Sequence, residues 1–110
     1  REAVNIVMKN CKNCGVFDRS RVNIGEAARF LSACREQFDL VLLDPPYGKG
    51  ILQRVLAALV PRLSDDAMVV CESGRDEELP AQVGSFVLDR ERRHGKTKIA
   101  LYLRGKDLAE

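Results

Sequence analysis

The sequence predicts an α/β domain with a mostly parallel sheet that closes on a C-terminal antiparallel hairpin. Three observations predict it. Residues 40–43 (Leu-Val-Leu-Leu) are an unbroken aliphatic run that stops at Asp44-Pro45-Pro46, as a strand buried on both faces of a parallel sheet would. Ile51, Leu52, Val55, Leu56, Leu59 and Leu63 follow at helical spacing. Residues 85–92 and 96–104 then alternate as two strands, joined by Arg93-His94-Gly95-Lys96.

The elements can be justified in chain order. Residues 1–14 predict an amphipathic helix with Val4, Val7, Met8 and Cys11 on one face, and Gly15 suits the left-handed position that closes it. Residues 21–24 predict a short strand near a sheet edge, followed by Gly25-Glu26 and a helical face of Ala27, Phe30, Leu31 and Cys34. After the central strand, Gly48-Lys49-Gly50 form a turn into the helix at 51–63. Ser64-Asp65-Asp66 are expected to turn the chain into a buried strand at 67–71, and residues 75–79 to make a helical turn before Pro80. In the last strand Thr97, Ile99, Leu101 and Leu103 face one way, while Lys98, Ala100, Tyr102 and Arg104 face the other. Residues 1–104 form the domain portion and 105–110 a loose tail.

Composition bounds the function classes. With 110 residues the chain has room for one domain, and its net charge of +2 makes only a weak case for a nucleic-acid partner. No apolar run is long enough to span a bilayer, so no membrane partner is expected and the default location is cytoplasmic. Cys11 and Cys14 make a single C-x-x-C with no second ligand pair. Reduced thiols are therefore expected, and no metal.

The chemistry-bearing stretch is Asp44-Pro45-Pro46-Tyr47. An ionised Asp44 accepts hydrogen bonds, Pro45 has no N–H to compete with its neighbours' carbonyls, and Tyr47 offers a face on which a base can stack. Two acceptors beside an aromatic platform suit an exocyclic amino group, whose lone pair is then free to meet an electrophile. Asp and Pro also build ordinary strand-to-helix turns, so the residue types alone leave both readings open. Their position between an aliphatic strand and a helix favours function, since open α/β sheets bind ligands beyond the carboxyl ends of their strands. The basic cluster Arg90, Arg92, Arg93, Lys96 and Lys98 reads either as a phosphate-contacting surface or as the charged edge of an exposed strand pair. Lys49 is a phosphate contact or a solvated loop charge. His94, the single histidine, is weak support for a catalytic base.

Asp44-Pro45-Pro46-Tyr47 resembles the (D/N/S)-P-P-(Y/F/W) signature of S-adenosylmethionine-dependent amino-methyltransferases. The longer stretch FDLVLLDPPYGKG, residues 38–50, is similar to the RsmD-type 16S rRNA guanine-N2 methyltransferases, and that resemblance runs from Arg1 to about Leu103. Residues 92–103 also resemble the family's closing R-x-Y-G-x-T strand pair, with His94 in place of the usual Tyr. The resemblance implies a Rossmann-like class I methyltransferase fold, S-adenosylmethionine as cofactor and small-subunit rRNA as partner. It implies catalytic roles for Asp44, Pro45, Pro46 and Tyr47 and cofactor contacts by Gly25, Glu26, Ala27 and Asp44. Lys49, Arg92, Arg93 and Lys96 are the expected nucleic-acid contacts. Glu26 has a plainer reading too, as an acid favoured at a helix N-terminus.

The family's glycine-rich turn after its first strand, and the acid that ends its second, have no counterpart in residues 1–110. The chain is therefore expected to be the carboxyl-terminal part of such a domain, a partial sheet with the first two strands absent, and inactive by itself. Apolar sheet edge would then be exposed, to be relieved by a homodimer, by strand exchange, or by residues 22–24 pairing beside 40–43. Two alternatives stay open: adenine-N6 methylation of DNA or RNA, and a non-catalytic module that binds RNA or protein.

Overall fold

In a computed structural model the described residues are 2–45 and 50–105. They form an α/β fold with a five-stranded mixed sheet. Helix α1 (Glu2–Asn13) is followed by α2 (Ala27–Ala33), β1 (Phe38–Leu43), α3 (Ile51–Leu59), β2 (Leu63–Gly74), β3 (Gln82–Val83), β4 (Phe86–His94) and β5 (Thr97–Arg104). Short 3-10 helices occupy Phe17–Arg19 and Val60–Arg62. The strand order is β1-β2-β5-β4-β3, with β1 and β2 parallel and the remaining pairs antiparallel. The β1-α3-β2 unit and the closing hairpin are where the sequence predicts them. No helix among the described residues is long and apolar enough to cross a membrane.

Helix α1 ends as its glycine requires. Gly15 takes φ 73°, and the amides of Gly15 and Val16 donate to the carbonyls of Lys12 and Cys11, which satisfies two carbonyls that have no partner within the helix. Helix α3 forms the centre of the core because Leu52, Val55, Leu56 and Leu59 recur on one face and are all buried. They pack on the sheet face made by Ala67, Val69, Cys71, Ala100, Tyr102 and Phe86, with Leu31 of α2 closing one side. Each of the buried leucines, valines and Phe86 contributes about 1.5–3 kcal/mol on leaving water. The helix stops earlier than its apolar pattern suggests. Pro61 cannot supply an intrahelical N–H, so residues 60–62 tighten into a 3-10 turn and Leu63 starts β2.

Several expectations are corrected. Residues 21–24 are not a strand and do not pair beside β1, whose one strand neighbour among the described residues is β2. A short stretch with nothing to accept its ladder bonds has no reason to stay extended in a sheet. The central strand is covered on one face only: Leu40 and Leu42 are 61% and 73% exposed, while Val41 and Leu43 turn toward α3. Ser64–Asp66 lie inside β2 rather than in a preceding turn. The register jumps from Phe38↔Leu63 to Leu40↔Met68, so these residues bulge within the strand, and Ser64 Oγ donates to Asp39 Oδ1 at 2.6 Å. Residues 75–79 make a turn and an irregular stretch, not a helical turn. The short strand β3 has no forerunner in the sequence reading, because two residues carry no readable alternation.

Candidate functional site

Because β1 and β2 run parallel, their carboxyl ends lie together. Leu43 is level with Cys71, so Asp44 leaves β1 just short of the end of β2 at Gly74. Asp44 is exposed and Pro45 half-buried. Pro46, Tyr47 and Lys49 lie outside the described residues. The chain resumes at Gly50, whose φ of 66° turns it into α3 at no steric cost. Asp44 and Pro45 thus stand between a sheet strand and a helix start, at the end of the sheet where α/β folds bind ligands.

The floor of this end is tied down by side chains. Gln53 Nε2, on the first turn of α3, donates to the Glu78 carbonyl at 3.0 Å. Lys98 Nζ, almost fully buried, donates to the Glu77 carbonyl and lies 3.6 Å from Glu91 Oε1. Tyr102 Oη donates to the Pro80 carbonyl at 2.6 Å. Three donors from α3 and β5 therefore hold residues 77–80, an irregular segment whose carbonyls have no ladder to join. Burial, then the charges of Cys71 and Glu91, push the Tyr102 hydroxyl up to about 12, and burial pushes the Cys71 thiol up to about 12. Both are neutral structural groups at physiological pH. Sequence reasoning missed this arrangement. The one available signal was Lys98 alternating in phase with Ala100 and Tyr102.

Gly25, Glu26 and Ala27 come together on an open cavity of about 920 Å³. Arg21, Glu36 and Phe38 also line it, and the Arg21–Glu36 ion pair (2.5 Å) spans from the loop to the residues before β1. Glu26 is the N-cap residue of α2, yet its side chain makes no capping hydrogen bond and is exposed. Asp44 is not among the described residues lining this cavity. The cavity therefore groups three of the four expected cofactor contacts, Gly25, Glu26 and Ala27.

The basic cluster is not a single patch. Lys98 is inside the core, paired as above, because its alternation places it with Ala100 and Tyr102 on the face under α3. A register shift between Leu88 and Arg90 inserts Asp89 as a bulge. Beyond it, Glu91 and Arg93 share the α3 face, opposite Ala100 and Lys98, whereas Arg90, Arg92 and His94 share the other face, opposite Leu101, Ile99 and Thr97. Arg93 Nε donates to the Arg75 carbonyl at 3.3 Å, and its guanidinium lies 3.9 Å from Glu91. Arg92, His94 and Lys96 are exposed.

The family model described as conserved hypothetical protein 95 matches residues 1–103. The protein named "Putative rRNA methyltransferase YlbH" of Bacillus subtilis is 31% identical over 106 residues, 92% of this chain and 58% of its own length. Ribosomal RNA small subunit methyltransferase D of Escherichia coli K12 is 30% identical over 87 residues, 77% of this chain and 44% of its own. This chain thus spans about half the length of the curated relatives it matches. A conserved hypothetical protein of Streptococcus pyogenes superposes with a TM-score of 0.87 at 31% identity, covering 96% of this chain and 67% of that one. With the family model matching nearly end to end and the β1-Asp44-α3-β2 arrangement in place, the chain belongs to the conserved hypothetical protein 95 family, the RsmD-type family that residues 38–50 resemble.

Proposed function

We propose that residues 1–104 are the carboxyl-terminal part of an S-adenosylmethionine-dependent methyltransferase that modifies the exocyclic N2 amine of a guanine in small-subunit rRNA, and that 105–110 are a tail. The observation that carries the reading is Asp44-Pro45 at the carboxyl end of β1, exposed beside the parallel strand β2 and ahead of α3, in a chain whose relatives are named rRNA methyltransferases. In this reading the Asp44 carboxylate and the Pro45 carbonyl accept the two amino hydrogens, which orients the nitrogen lone pair away from the protein. Tyr47 stacks on the base, and Pro46 stiffens the backbone between them. Holding the amine in one orientation and stabilising its developing positive charge are the protein's contributions to rate. The base leaves its stack to reach Asp44.

The cavity around Gly25, Glu26 and Ala27 fits part of the cofactor. Its volume is in the range of small-molecule sites, and the uncapped Glu26 carboxylate is available to the adenine amine. When bound, S-adenosylmethionine supplies the methyl group. Because residues 1–110 contain no counterpart of the family's glycine-rich turn or of the acid that ends its second strand, the 110-residue chain is proposed to be silent by itself.

Calorimetric titration of S-adenosylhomocysteine into this chain and into a version extended upstream to the length of its relatives tests the reading. Binding and rRNA methylation by the extended protein alone are expected, with Asp44→Ala lowering methyl transfer by about 10²–10³-fold. Nucleoside analysis that finds N6-methyladenine instead of N2-methylguanine refutes the guanine assignment.

A further inference from the structure

The Asp89 bulge decides which face the basic residues of β4 occupy. Without it, strict alternation from Phe86 and Leu88 would put Arg90 and Arg92 on the buried face and Glu91 on the open one. With it, Arg90, Arg92 and His94 form one row on the face that α3 does not cover, spaced two residues apart, or about 6.5–7 Å. Strand β3 pairs only with Phe86 and Val87, so this end of β4 has no strand on its outer side among the described residues.

The row also stands at the right end of the sheet. Strand β4 runs in the same direction as β1. Glu91 is level with Ala100, Ala100 with Cys71, and Cys71 with Leu43, so Arg92 is level with the step from Leu43 to Asp44. Three strand spacings separate the two, about 14 Å. The charges around the row are unequal. On the α3 face Glu91 serves both Arg93 and Lys98, whereas on the open face Arg90 has only Asp89, at 3.6 Å and largely exposed, and Arg92 has no ion pair among the described residues. Glu72, in the same cross-strand line, is half-buried and separated from Arg92 by Ile99.

We infer that Arg90, Arg92 and His94 are the phosphate-binding row for the RNA strand whose base enters at Asp44, in place of the surface Arg92, Arg93 and Lys96. This deepens the proposed function and rests on its RNA partner. Two guanidiniums at phosphate-like spacing, on one face and level with the reacting position, hold the nucleotides flanking the target. Arg93, spent on Arg75 and Glu91, holds the hairpin in shape. Mere protection of a free strand edge would not need the charges gathered on one face.

The test is fluorescence anisotropy of a labelled single-stranded RNA oligonucleotide with the 110-residue chain across a salt series. Removing two phosphate contacts from a single strand lowers the slope of log K against log salt by about 1.4. Arg90→Ala/Arg92→Ala is expected to show that loss, Arg90→Lys/Arg92→Lys to retain most of the slope, and the charge-matched Arg19→Ala/Arg35→Ala to lose less than about a third as much. Circular dichroism confirms that each variant is folded. An equal loss in the row and control variants overturns the row while leaving the RNA partner standing. Absence of salt-dependent binding by the unaltered chain overturns both. Poly-glutamate binding with the same affinity and slope assigns the row to acidic polymers in general and overturns it as an RNA site.

Discussion

Replacing Gly84 by alanine should be among the most damaging single-methyl changes in this chain, and its cost can be divided into two parts. Gly84 has φ +58°, and a Cβ built there lies 2.7 Å from Val60 Cγ1, 3.7 Å from Val60 Cβ and 3.8 Å from Val60 Cγ2. Gly95 has the same φ, +58°, but a Cβ added to it meets nothing within 4 Å. Gly95→Ala therefore measures the left-handed backbone penalty alone, about 1–2 kcal/mol. Gly84→Ala adds the clash with Val60, about 1–3 kcal/mol of overpacking, for a total of about 2–5 kcal/mol. Val60→Ala removes the one close methyl, Cγ1, and leaves only the ordinary contact with Cβ at 3.7 Å, so in that background Gly84→Ala should cost no more than Gly95→Ala. Urea denaturation with linear extrapolation reads all four variants, and an unchanged m-value shows that the same structure is being unfolded. Equal costs at Gly84 and Gly95, or a clash that survives Val60→Ala, would refute the proposed packing of the β3–β4 turn on the 3-10 helix that ends α3.

Two further expectations concern the core and the open face. The Cys71 thiol is raised from 9.0 to about 12 by burial, so the unfolded chain gives up this proton first as pH rises. Stability from this group is complete below pH 9 and falls by up to about 4 kcal/mol as pH rises toward 12. Cys71→Ala should lose about 1 kcal/mol near neutrality but flatten the alkaline slope of urea-unfolding free energy, leaving the share due to Tyr102; an unchanged slope contradicts the assignment. Leu42 is 73% exposed and Leu52 is 1% exposed. Leu42→Ala should therefore cost less than about 0.5 kcal/mol and Leu52→Ala about 2–5 kcal/mol by the same assay.

How much of the site was legible in the sequence varied with the kind of signal. The end of β1 at Asp44 was readable because an aliphatic run followed by two prolines has few other outcomes, and family membership followed from the same residues. The basic hairpin was readable as composition but not as a surface. Arg90 and Arg92 lie on one face, Arg93 and Lys98 on the other and Lys96 in the turn; the inserted residue Asp89 decides which face the β4 cations take, and a bulge leaves no mark in the pattern of residue types. The donors holding residues 77–80 were invisible for a related reason: Gln53, Lys98 and Tyr102 are far from that segment in sequence and meet it only when α3 and β5 pack together.

By itself, the sequence determined the local elements whose causes are local. The periodicity of α3, the glycine that closes α1 and the alternation of β5 each act within a few residues, and each element formed where its cause lies. Tertiary structure decided which faces were buried and which strands found partners. Residues 40–43 are aliphatic at every position, a pattern that says the strand can be covered on both sides. Whether it is covered depends on what packs against it, and here α3 covers one side while Leu40 and Leu42 face outward. Residues 21–24 have strand-forming composition, but a strand is completed by hydrogen bonds from a neighbour, and no residue's own propensity can supply those.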